Sequence, residues 1–173
     1  MIVNALIHNK WHYAENESEI CELITEVIEN SEPEGIVTVD SMQFPTAGED
    51  ARFMISDRRH TSGDEYPYNE LAVAVNPSTG YGALIWHVSK KFARKGGIYD
   101  HIWVSNNPKP PNLDPRVVSD PWNPTFHDPR SALPVPQVRA ALEEFCRTGT
   151  GDRPQSIGWV RGWMDGHRID ESP

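Results

Sequence analysis

The segment "ELAVAVNPSTGYGALIWHV", residues 70–88, sets out the architecture most plainly. Two apolar runs, 70–76 and 81–88, flank the short Gly-containing loop Pro-Ser-Thr-Gly, which predicts an antiparallel hairpin. In the first run Leu71, Val73 and Val75 make a bulky face, and Ala72 and Ala74 point the other way. Neither face is polar, so this strand is expected near the centre of a sheet covered on both sides. The small alanine side is expected to admit a helix at close range.

Further strands are predicted on either side of this hairpin. "IVNALIH" reads as an opening strand ending near Trp11, followed by "GIVTVD" (35–40) and "ARFMISD" (51–57). Between them, Ile20, Leu23, Ile24, Val27 and Ile28 recur at helical spacing and give one apolar face. Asn16 with Glu19 three residues on resembles a capping arrangement, and Pro33 and Gly35 end the helix. Downstream, "HIWVS" (101–105) is a further strand candidate.

Nine of the fifteen prolines then fall between residues 107 and 136, among Trp122, Phe126 and Leu133. Proline cannot donate to a sheet ladder or sit inside a helix, so a long irregular loop is expected at about 105–134, pinned down by its aromatics. Pro136 suits the first turn of a second helix, whose Val138, Ala141, Leu142, Phe145 and Cys146 share one face. Gly149 lies where a C-terminal cap belongs, and "SIGWVRGW" supplies a closing strand. The expectation is an α+β fold in one domain spanning 1–173, a mainly antiparallel sheet of about six strands with two helices.

Composition narrows the function classes. Hydrophobic content is 38% and mean hydropathy is −0.57. No apolar run reaches the roughly 18–20 residues of a membrane span. The opening "MIVNALIHNK" lacks a basic leader, so cytoplasmic action without a membrane partner is expected. Cys21 and Cys146 are too few for a disulfide framework and read as ordinary helix residues. The net charge of −9 is asymmetric: residues 1–70 carry 15 acidic and 4 basic side chains, residues 71–173 carry 10 and 12. Such an acidic half argues against direct nucleic-acid binding and suits a basic protein partner.

Catalytic signatures are absent: there is no GxGxxG, P-loop, GxSxG, HExxH or zinc-deaminase pattern. His8 and His12 would need a further ligand to hold a metal, and no metal or cofactor is expected. An enzyme with an unrecognised site at His87, His101 or His127 stays open as an alternative, as does an orphan interaction module.

"LPVPQVRAALEEFCRTGTGDRPQSIGWV" (133–160) resembles the C-terminal signature of immunity-protein family one of bacterial polymorphic toxin systems. The segment "LAVAVNPSTGYGALIW" is similar to the central hairpin of that family, and the resemblance is more specific from residue 70 onward. It implies a cognate inhibitor of a toxin's C-terminal domain, commonly a nucleic-acid deaminase and in other cases a nuclease. Under it Val138, Leu142, Phe145, Gly149, Arg153, Pro154 and Trp159 are scaffold rather than contact residues. Two loops are candidates for toxin contact. The first, 56–70, combines Asp57, Asp64, Glu65 and Glu70 with Tyr66 and Tyr68; the second carries Trp122 and Phe126.

Overall fold

A computed structural model describes residues 1–170. The chain begins with β1 (Ile2–Ile7) and β2 (Lys10–Ala14), then α1 (Glu17–Asn30). A small hairpin, β3 (Gly35–Val39) and β4 (Met42–Thr46), precedes β5 (Ala51–Ser56), β6 (Asn69–Asn76) and β7 (Tyr81–Val88). β8 (Ile102–Asn106), β9 (Val118–Asp120), β10 (Thr125–Phe126) and β11 (Leu133–Pro134) follow, then α2 (Val135–Thr148) and β12 (Gly158–Gly162).

The main sheet runs β12-β8-β7-β6-β5-β1-β2, with β11 as an eighth strand on β7. Every pairing is antiparallel, and the β6–β7 hairpin is in full register from Asn69↔Val88 to Asn76↔Tyr81. The α+β expectation holds, with a larger sheet than foreseen. Additional strands come from β2 and β11, and β9–β10 and β3–β4 form separate two-stranded ribbons.

The opening segment is two strands, not one ending near Trp11. His8 and Asn9 both adopt positive φ (51° and 59°) and reverse the chain so that β2 pairs back on β1. Asp40 and Ser41 do the same at 49° and 67°, closing β3 onto β4. Paired positive φ is the geometry that two-residue hairpin turns require.

Both helices lie on the sheet face formed by Leu71, Val73 and Val75, together with Val3, Phe53, Leu84 and Trp86. This reverses the expectation for the alanines. Close approach of α2 is permitted instead by Gly82, where a Cβ would stand 2.7 Å from the Ala74 carbonyl and 3.1 Å from Val138. The face carrying Ala74 and Ala83 is covered by the Pro-rich segment through Val117, Val118, Ala132 and Phe126. Extended chain lies lower on a sheet than a helix does, and small side chains give it a flat floor.

Local signals set the helix ends. The Asn16 side chain accepts from Glu19 N at 3.1 Å, and Glu19 Oε2 accepts from Glu15 N at 2.7 Å, a capping arrangement. α2 starts at Val135, one residue before the expected Pro136, and ends at Gly149 in the left-handed region (φ 63°). Val138, Leu142 and Phe145 are buried in the core beside Cys146, whose thiol is pushed up to about 12 by burial. Arg153 stacks its guanidinium 4.2 Å from the Trp103 ring centroid and 5.9 Å from that of Trp159, whose Nε1 donates to the Pro154 carbonyl at 2.8 Å. Trp86 Nε1 donates to Gly151 O at 3.0 Å, tying the turn after α2 to the sheet. Arg153 Nε and Nη1 are nevertheless buried without a hydrogen-bond partner.

Candidate partner-binding surface

The 57–68 loop between β5 and β6 is anchored from beneath by two buried polar residues. Asn4 Oδ1 accepts from His60 N at 2.8 Å, and the Asn4 side chain donates to Arg58 O at 3.1 Å. The His60 ring bridges Ser56 Oγ at 3.0 Å and Glu65 O at 2.9 Å, and the Tyr13 hydroxyl donates to His60 O at 2.6 Å. These hydrogen bonds brace the loop from beneath.

Two of its carboxylates are already engaged. Asp64 accepts from the Thr61 hydroxyl and backbone N–H, both at 2.8 Å, and pairs with Arg58 at 3.1 Å; these contacts hold its carboxyl at about 2. Glu65 takes both oxygens to Lys91 Nζ, at 2.6 and 2.9 Å, which raises the lysine pKa. Such exposed pairs contribute little and leave less unopposed charge than the sequence suggests. Asp57 is exposed. Tyr66 (41% exposed) packs edge-on to Trp11 at 5.4 Å, and Tyr68 (40%) has Lys91 Nζ 5.7 Å from its ring centroid.

Glu70 does not belong with these residues. It points from β6 to the opposite side of the sheet from Leu71, with its side chain only 8% exposed, and lines a groove of about 350 Å³. Arg52 from β5 and Asp50 just before it line the groove, together with Asp120, Trp122, Met164 and Asp165. Arg52 Nε stands 3.4 Å from Asp50 and 3.9 Å from Glu70, so one guanidinium serves two carboxylates. Burial pushes the Asp50 carboxyl above its usual range despite Arg52.

Two hairpin tips shape the rim. Asp120 Oδ1 accepts from the backbone N–H groups of Trp122 and Asn123, holding a turn that leaves Trp122 83% exposed. The turn from Trp163 to His167 leaves Trp163 58% and Met164 48% exposed. Gly166 (φ 81°) packs against Ser119 and His127, where a Cβ would stand 2.7 and 2.9 Å away, so the tips touch. Phe126, by contrast, packs inward on the alanine face with Arg116 4.3 Å from its ring centroid. The two aromatics of the second candidate loop therefore separate, one into the core and one into solvent.

The histidines do not gather at one point. His87 faces Glu70 Oε1 at 3.5 Å without a hydrogen bond and shares a recess with His101, which packs edge-on to Trp103. His127 lines the other groove, buried, with no partner for Nδ1, and its pKa is pushed down to about 4 by burial. Both ring nitrogens of His8 are taken by carboxylates, Glu49 at 2.9 Å and Glu26 at 3.1 Å. No group of three or more His, Cys, Asp or Glu placed to hold a metal ion occurs among the described residues. No helix among them is long and apolar enough to cross a membrane.

Sequence reasoning missed Asp50, Arg52, Asp120, Met164 and Asp165 as neighbours of Glu70. With Glu70 they come from four separated segments, and only the sheet register and two loop crossings bring them together. β3 lies where a strand was expected, but its pairing with β4 and its exposure, with Ile36 (70%) and Met42 (60%) open to solvent, were missed.

A family model described as immunity protein Imm1 matches residues 8–161. No curated protein and no solved structure gives a significant match.

Proposed function

The chain belongs to the immunity protein Imm1 family, and from that membership we propose that it binds and neutralises a bacterial toxin that acts on nucleic acid, a deaminase or a nuclease. The partner is the toxin's C-terminal domain, and the producing cell is protected in its cytoplasm. Inhibition is by occlusion: the protein covers the toxin's active site or substrate surface and does no chemistry of its own.

The observation that carries this reading is the family match over residues 8–161. Its electrostatic form is supported by the acidic half of the chain. A toxin that grips nucleic acid presents a basic cleft, and a complementary acidic surface speeds encounter and competes with the phosphate backbone. The contact surface is proposed to include Asp57, Glu65, Tyr66 and Tyr68 on the braced loop. Trp122, with Glu70 behind it, forms a second patch. Trp122 has the strongest interface character, a fully presented indole framed by carboxylates.

The test is a tagged pull-down from the native organism's lysate, read by mass spectrometry across a salt series. Enrichment of a secreted toxin's C-terminal domain, lost as salt rises, is the expected result. If no toxin fragment is enriched although the toxin is expressed, the reading fails.

A further inference from the structure

The groove behind Glu70 holds an imbalance that the fold does not resolve. Four carboxylates, Asp50, Glu70, Asp120 and Asp165, line it against the single guanidinium of Arg52. Glu70 is 6% exposed, yet the nearest basic side chains, Arg52 and His87, stand 3.9 Å and 3.5 Å away, both at Oε1. Those distances are long for charge-assisted hydrogen bonds, which run near 2.7–2.9 Å. Leaving a nearly buried carboxylate short of donors is costly, and stable folds seldom tolerate it without a use. The neighbouring His127, 5% exposed, lines the same groove, its unpartnered Nδ1 covered by Gly166. Its ring is neutral near pH 7 and adds no positive charge to the groove.

We infer that this groove is a receptor for one arginine side chain of the toxin, its guanidinium donating to Glu70 and Asp50 while stacking on Trp122. Arginine fits better than lysine for three reasons. Its planar fork supplies five donors to several separated acceptors, it binds carboxylates two-point, and it stacks on indole faces. The exposed Trp122 at the mouth provides such a face, and Asp120 and Asp165 guide the cation inward. The groove volume of about 350 Å³ accommodates a side chain but not a folded element. The identity of the partner rests on the toxin reading above; the chemistry of the groove does not.

The probe is therefore N-acetyl-arginine amide, titrated into the full chain and followed by amide NMR shifts. N-acetyl-citrulline amide, its uncharged near-isostere, and N-acetyl-lysine amide serve as comparisons. Saturable shifts confined to groove amides such as Ala72, Ser119 and Asp165, absent with citrulline amide and weaker with lysine amide, are expected. Glu70→Gln should weaken arginine amide binding about tenfold, the loss of one charge-assisted contact. Should that variant unfold, Asp165→Asn on the half-exposed turn tests the same point and is expected to weaken binding less. Shifts that spread over the acidic surface without saturating, an equal response to citrulline or lysine amide, or no shifts at all would each overturn the inference. None of these outcomes bears on whether a toxin is captured from lysate, so the two proposals fail independently.

Discussion

Acidification provides a quantitative check on the burial of His127. Its folded pKa is lowered to about 4 from 6.5 by burial. A histidine held neutral in the fold contributes stability that is fully present above its unfolded pKa. That stability is lost as pH falls toward the folded value, because only the unfolded chain then takes up the proton. At about pH 5 the unfolded ring lies about 1.5 units below its pKa, at 1.36 kcal/mol per unit, so the loss is about 2 kcal/mol. His8 works in the opposite sense: its pKa is raised, with carboxylate contacts to Glu26 and Glu49 outweighing burial, so its contribution is lost as pH rises. Comparison with His127→Leu cancels such background. Urea unfolding of both proteins at about pH 7.5 and about pH 5 should show the wild type losing about 2 kcal/mol more than the variant. Parallel behaviour, within about 0.5 kcal/mol, would mean that the ring is solvated or protonated in the fold, and the geometry assigned to it would be wrong.

Three further expectations follow from the structure. Gly151→Ala should cost at least about 2 kcal/mol in urea unfolding, because Gly151 has φ 75° and a Cβ would stand 2.5 Å from Asn69 Cγ. Trp122→Ala should weaken toxin binding by about 2 kcal/mol in calorimetry while leaving the melting temperature unchanged, since the indole packs on solvent. Reversing Asp64 and Glu65 to lysine should slow association about tenfold at low salt and flatten its salt dependence. Unchanged stopped-flow kinetics after that double substitution would remove the 57–68 loop from the interface.

What the sequence disclosed and what it hid divide along physical lines. The β6–β7 hairpin, both helices and the closing strand were legible because burial imposes periodicity, and because Asn16 and Gly149 satisfy helix ends locally. The β1–β2 and β3–β4 reversals were not, since His8-Asn9 and Asp40-Ser41 lack the glycine that usually marks such turns. Pro45 further disguised β4, and that strand is tolerated because it pairs on one side only. On the proposed contact surface, the carboxylates and tyrosines of the 56–70 segment were readable directly from the sequence. Its internal neutralisation by Arg58 and Lys91 was invisible, because Lys91 is remote in sequence from Glu65. Glu70 was grouped with its chain neighbours, but strand alternation sends it through the sheet to join Asp50 and Trp122. Alternation was readable in principle; the company it delivers Glu70 into was not.

The most direct test of neutralisation by occlusion is an activity titration. The toxin domain recovered from lysate is held at fixed concentration on its nucleic-acid substrate while this protein is added. A stoichiometric end point at one inhibitor per toxin, with inhibition weakening as salt rises, is the expected result. A toxin that binds this protein yet keeps full activity at saturation would contradict it.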